Sequence, residues 1–205
     1  MKNTTLLFAV AALFATGCTN AEPPNLAKLE IGKPAPAFTV TDANGQARSL
    51  SDFAGKTVVL EWHNPECPFV KKHYQGNMQG QQKAATGQDV VWLTINSGKA
   101  GKQGHMDGAD ANAYLAKSNA APTAYLLDTD SATGVAYGAK TTPHMYVIDP
   151  QGTLQYMGAI DSIPSADVGD IADATQYVTQ ALGELKAGKP VSIASTQAYG
   201  CNVKY

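Results

Sequence analysis

Arginine is almost missing from this chain: Arg48 stands alone, and every other basic residue is a lysine. A chemistry that needs a guanidinium beside its reacting atom therefore has one residue to draw on. Cysteine is nearly as scarce, with Cys18, Cys67 and Cys201 in 205 residues. That is too few for a scaffold built on disulfides. Charged residues make up 16% of the chain and the formal net charge is −2, which gives no reason to expect a nucleic-acid partner. The length fits one domain, or at most two, with a core that stands without covalent staples. The odd cysteine count is left to be explained.

What is present begins with an export signal. Met1-Lys2-Asn3 is a short positive start, and Thr4 to Gly17 reads TTLLFAVAALFATG without a charge. That run is too short for a stable bilayer-spanning helix but suits a secretory apolar region. Ala15-Thr16-Gly17-Cys18 resembles a bacterial lipobox, apart from Ala15 where Leu is usual; ordinary cleavage after Thr19-Asn20-Ala21 is the alternative. Acyl chains on Cys18 would anchor a domain to a membrane surface. Thr19, in place of a retention-type Asp, favours the outer membrane. The expected organisation is a signal over residues 1–21, a Pro-bearing linker over 22–30, a globular domain over 31–190 and a tail over 191–205 carrying Cys201. The exported domain is expected in the oxidising periplasm.

Patterning within the domain alternates strands and helices. Ala37 to Leu50 reads as two strands joined at Asn44-Gly45. The β-branched runs Thr57 to Trp62 and Asp89 to Asn96 read as buried strands. Pro65 to about Ala85 reads as a helix that Asn64 would cap, followed by a loop over Ser97 to Gly108. Asp110 to Ser118 and Ser131 to Ala139 suit helices, and Ala124 to Asp128 a short strand. His144 to Asp149 and Thr153 to Ile160 form a hairpin around Pro150-Gln151-Gly152. Asp167 to Lys186 reads as a long amphipathic helix, and the tail shows no helical period. The alternation implies an α/β domain, its sheet partly parallel, with helices on both faces.

The chemistry concentrates at Glu61-Trp62-His63-Asn64-Pro65-Glu66-Cys67-Pro68. A buried strand ends and a cysteine opens the next helix, where free amide groups and the helix dipole favour a thiolate, the form that attacks. Lys71, Lys72 and His73 add positive charge nearby. The plainer reading is a buried cysteine serving as a small hydrophobe.

Trp62 with Cys67-Pro68, then Thr141-Thr142-Pro143 leading into an apolar strand, resembles the thioredoxin fold. The opening Gly32-Lys33-Pro34-Ala35-Pro36-Ala37-Phe38 and the turn Asp149-Pro150-Gln151-Gly152 are similar to its redoxin, AhpC/TSA-like branch. That branch includes thiol–disulfide oxidoreductases of the bacterial envelope and the peroxiredoxins. The resemblance implies a thioredoxin-like mixed sheet with an N-terminal β-hairpin extension. It also implies a cis Pro143 beside Cys67, with Thr142 presenting backbone groups to an incoming peptide or disulfide. Two departures are informative. Val70 stands where a Cys-x-x-Cys motif has its second cysteine, so no vicinal disulfide forms. The peroxiredoxin Pro-x-x-x-Thr-x-x-Cys is also absent, with Leu60 and Asn64 in its Pro and Thr places, and no arginine follows Cys67.

Cys201, in Gly200-Cys201-Asn202-Val203-Lys204-Tyr205, is then the candidate partner. A thiol on a mobile tail resolves a mixed disulfide by attacking it; a static Cys67–Cys201 disulfide pinning the tail is the alternative. His63 is the candidate to tune the Cys67 pKa. Glu61 is weighed as a proton carrier, its plainer reading being an outward residue of the strand. A weaker alternative converges Cys67, His63, His73 and His144 on copper or zinc. The expectation is thus an exported thiol–disulfide oxidoreductase without cofactor or metal, acting on protein thiols and disulfides or an envelope redox partner. A thiol peroxidase, or a non-enzymatic envelope protein with a structural disulfide or bound copper, is the alternative.

Overall fold

A computed structural model describes residues 29–205; the signal segment with Cys18, and most of the linker, lie outside the described residues. Seven strands form one sheet in the order β2-β1-β5-β4-β3-β7-β8. They are β1 (Thr39–Asp42), β2 (Ala47–Ser49), β3 (Val58–Trp62), β4 (Val91–Asn96), β5 (Ala124–Leu127), β7 (His144–Ile148) and β8 (Leu154–Gly158). A separate two-stranded ladder pairs β6 (Thr141–Thr142) with β9 (Cys201–Asn202). Strands β3, β4 and β5 run parallel, while β7 and β8 turn back antiparallel on one side and β1 and β2 on the other. This is the mixed sheet that the resemblance implies.

The β1–β2 hairpin closes at Asn44-Gly45, with Gly45 at a φ of +79° that costs glycine nothing. The Asp42 carboxylate seals the turn, accepting from the Asn44 and Gln46 amides at 2.9 Å each. Strand β3 is buried along its whole length. Val58, Leu60 and Trp62 enter one core with Phe38, Tyr137 and Tyr146, and Val59 enters the other with Trp92, Met145 and Val178. Helices α1 (Pro68–His73), α2 (Asn77–Thr86), α3 (Gly108–Ser118) and α5 (Tyr177–Lys186) cover the Val59 face, and the short α4 (Ala132–Ala136) lies on the other.

Two expected helices are shorter than the sequence pattern suggests. The run from Pro65 to Ala85 is two helices, interrupted at Gly76, whose φ of +124° no helix accommodates. The Gln79 side chain stabilises the break, accepting from the Gly76 amide at 3.0 Å and donating to the Tyr74 carbonyl at 2.7 Å. The long helix expected from Asp167 begins only at Tyr177. Before it, Asp167 accepts from the Gly169 amide at 2.8 Å and Ser165 bonds Asp170, short side-chain turns that compete with helix.

The tail is docked, not mobile. Thr196 bonds the β8 edge through Met157, its hydroxyl accepts from the Ala159 amide at 2.9 Å, and Tyr205 donates to the Ala139 carbonyl at 2.6 Å. Between those anchors, Thr142 pairs with Cys201 and Thr141 with Asn202.

Candidate active site

Cys67 lies at the C-terminal end of β3 as the N-cap of α1, and Pro68 takes the first helical position, where no amide hydrogen is needed. Asn64, expected as the cap, instead closes the preceding turn. Its side chain accepts from the Glu66 amide at 2.8 Å, and its carbonyl accepts from the Cys67 amide at 3.1 Å. Trp62 fixes the strand end by donating to the Ser97 hydroxyl at 3.0 Å.

Three chain segments meet at the Cys67 sulfur. Thr142-Pro143 is a cis peptide, and the Thr142 carbonyl accepts from the Cys67 thiol at 3.1 Å. Cys201, held opposite Thr142 by the β6–β9 ladder, brings its thiol within hydrogen-bonding reach of Cys67. Both cysteines are free thiols. Cys67 is fully buried and Cys201 half-buried.

The two thiols are electrostatically unequal. Burial pushes the Cys67 thiol up, but hydrogen bonds from the Cys201 thiol, the Val70 amide, the Thr142 hydroxyl and the Cys201 amide outweigh it and hold the group below its ordinary value. Burial, and the contact with Cys67, push Cys201 up to about 11. Cys67 is therefore the more acidic thiol of the pair and Cys201 the less acidic.

The histidines do not converge. His63 is buried within the aromatic rings of Tyr74, Tyr114 and Tyr125, bonded through Nδ1 to the Tyr125 hydroxyl at 2.8 Å. Burial drives its pKa down to about 3, so it is neutral and adds no charge beside Cys67; the tuning expected of His63 comes from Cys201 and the backbone instead. His144 bonds the Tyr146 hydroxyl at 3.1 Å, and His73 takes its Nδ1 bond from Asn77 at 2.7 Å. Among the described residues no three His, Cys, Asp or Glu side chains are grouped to hold a metal. Arg48 is engaged far upstream, paired with Asp42 at 2.9 Å.

Glu61 corrects the outward expectation: α2 covers its face and leaves it fully buried. Its carboxylate accepts from Tyr74 at 2.7 Å, Trp92 at 2.8 Å, and Gln82 and Thr94 at 3.1 Å each. Burial raises its pKa against those four bonds. Sequence reasoning missed a second buried group, Asp161 with Lys72, His73 and Tyr199. Lys72 read as a source of positive potential, yet its ammonium is spent on Asp161 at 3.3 Å. A lysine fully buried on the helix that Cys67 opens is the signal, visible only once the partner is placed.

A family model described as the AhpC/TSA family matches residues 31–157, well over half of the chain. The chain belongs to the AhpC/TSA family. Its match spans β1 through most of β8 and so includes Cys67, Thr142 and Pro143, but not the tail with Cys201. Among curated relatives of similar sequence is the thiol-disulfide oxidoreductase ResA of Bacillus subtilis, 30% identical over 60% of this chain and 64% of its own. The chain thus spans just under two thirds of that relative's length. A hypothetical protein from Sinorhizobium meliloti superposes with a TM-score of 0.75 at 25% identity, over 87% of this chain and 96% of its own. The thioredoxin domain of a thiol-disulfide oxidoreductase from Bacteroides vulgatus shares the fold at 19% identity, with a TM-score of 0.52 over 71% of this chain and 97% of that domain.

Proposed function

We propose that this AhpC/TSA-family protein is an exported thiol–disulfide oxidoreductase in which Cys67 is the nucleophile and Cys201 the resolving thiol. The observation that carries the reading is the placement of the pair. Cys67 opens α1 and donates to the Thr142 carbonyl, and the β6–β9 ladder sets Cys201 opposite Thr142. That placement draws the Cys67 thiol below its ordinary pKa and pushes Cys201 up to about 11. The Cys67 thiolate attacks a substrate disulfide, forming a mixed disulfide and releasing one substrate thiolate. Cys201 then gives up its proton, attacks the Cys67 sulfur and releases the second. The two protein thiols lose two electrons and the substrate disulfide gains them. Thr142 and Pro143 shape the groove in which the substrate sulfur approaches, Pro68 and Trp62 fix the position of Cys67, and Glu61 is a buried proton carrier.

Peroxide reduction is the weaker reading, since Arg48 is committed to Asp42 in the hairpin and Cys67 has no guanidinium beside it. The substrates in this reading are protein thiols and disulfides, or an envelope redox partner. The N-terminal apolar run and Cys18 support export to the periplasm and a lipid anchor on a membrane surface, as the sequence implies. The reaction is tested by incubating the reduced protein with a disulfide-bonded polypeptide and following thiol release. Cys67→Ala abolishes release, whereas Cys201→Ala leaves a trapped mixed disulfide. Undiminished exchange by Cys67→Ala rejects the proposal.

A further inference from the structure

Two residues before Cys201, the tail places Tyr199 against α1. The Tyr199 ring meets Phe69 edge-on, with ring centroids 5.7 Å apart. Its hydroxyl donates to Asp161. The same carboxylate pairs with Lys72 at 3.3 Å and contacts His73 Nε2 at 3.6 Å, and its remaining bond comes from the Ile163 amide at 3.2 Å. His73 Nδ1 accepts from Asn77 at 2.7 Å, so Nε2 carries the hydrogen and faces Asp161 and Tyr199. The side chains of Lys72, His73 and Asp161 are all fully shielded from water. A charged pair is expensive to bury, and this one lies on the helix that begins at Cys67. Lys72 and His73 belong to that helix and Asp161 follows β8; Tyr199 alone among the partners comes from the tail.

The β6–β9 ladder is two residues long, too short to fix a strand by itself. Beyond it the tail is tied by Val203 to Lys140 at 3.0 Å and by Tyr205 to Ala139 at 2.6 Å. Before it the tie nearest Cys201 is Tyr199. While docked, the tail occupies the exposed edge of β6 and leaves Cys67 without solvent contact.

We infer that Tyr199 is a positioning residue whose bond to Asp161 latches the tail, holding Cys201 on Cys67 and closing the site against an incoming disulfide. The inference rests on Cys201 acting as the resolving thiol. The latch works in opposite directions on the two half-reactions. It slows the first attack, because the tail must lift before a substrate sulfur reaches Cys67. It speeds the second, because Cys201 is returned to the mixed disulfide at high local concentration.

Stopped-flow reaction of the reduced full chain with dithiobis-nitrobenzoate, in a Cys18→Ser background, separates the two steps. One chromophore leaves when Cys67 attacks and a second when Cys201 resolves. In Tyr199→Phe, which keeps the ring on Phe69, the first release becomes faster and the second slower by roughly tenfold, the factor set by one lost hydrogen bond to a charged group. Phe69→Leu, which leaves the carboxylate untouched, shifts both steps in the same senses by less. Unchanged rates, or both steps shifted in the same direction, overturn the latch. Cys201→Ser reads the underlying reaction separately: it releases one chromophore and stops. If it releases two, the resolving role of Cys201 fails, whatever Tyr199 does.

Discussion

Gly200 packs against the carbonyl oxygen of Thr142 so closely that a Cβ at this position would stand 2.0 Å from it. Its φ of +126° is one that side chains rarely adopt. Both constraints fall on the residue before Cys201, and the oxygen it faces is the one that accepts the Cys67 thiol hydrogen. Gly200→Ala is therefore expected to undock the tail near Cys201. Stability should fall by about 1–3 kcal/mol in denaturant titration, and Cys67–Cys201 disulfide formation should slow at least tenfold. An alanine variant that forms the disulfide at the original rate contradicts the packing described.

The unequal thiols predict an alkylation profile. Cys67 is held below its ordinary value and Cys201 is pushed up to about 11, so the pH midpoint for alkylation of Cys67 by iodoacetamide should lie below that of Cys201. Replacing Cys201 by Ala removes the foremost hydrogen bond to the Cys67 sulfur, and the midpoint of Cys67 reactivity should move upward. Peptide mass mapping after timed alkylation reads both. A midpoint unchanged by Cys201→Ala removes the tail from the account of Cys67 acidity.

Glu61 predicts a stability effect of known sign. Burial raises its pKa above the ordinary 4.5, so its favourable contribution is full below that value and is lost as pH rises through the higher folded pKa. Glu61→Gln should flatten that decline. Glu61→Leu orphans the donors of Trp92, Thr94, Gln82 and Tyr74, and should cost about 3–5 kcal/mol. Urea titrations across pH 4–8 distinguish the two variants.

Much of this organisation was legible in the residues. The β-branched run of β3 and the Asn44-Gly45 turn each announce their geometry within a few positions, because local sterics decide them. The cis Thr142-Pro143 bond, by contrast, is expected only through the family resemblance, since local sterics favour trans. Gly76 also carried a local signal, but the surrounding apolar spacing hid it and two helices read as one. Glu61, Asp161 and the tail were not legible for a different reason. The burial of Glu61 depends on which helix covers its face, and the pairing of Lys72 with Asp161 spans 89 residues. The tail has no core pattern because it is held by backbone pairing and tyrosine hydroxyls, neither of which leaves an apolar period.

The buried histidines make the opposite pH contribution to Glu61. His63 is depressed to about 3, and His73 and His144 to about 4, each mainly by burial. Stability from each is full above 6.5 and lost as pH falls toward the folded value, at about 1.4 kcal/mol per unit. His63→Gln should make the fall in stability between pH 6.5 and 4.5 shallower by about that slope. An unchanged slope would show that His63 does not stay neutral in the folded protein.

The central claim is that Cys67 and Cys201 form one redox pair, and a non-reducing peptide map tests it most directly. After exposure to a disulfide substrate, the account predicts a single peptide joining Cys67 to Cys201, lighter by two hydrogens than its separate parts and opened by mild dithiol. A Cys67 left in a stable mixed disulfide beside a free Cys201 would contradict it.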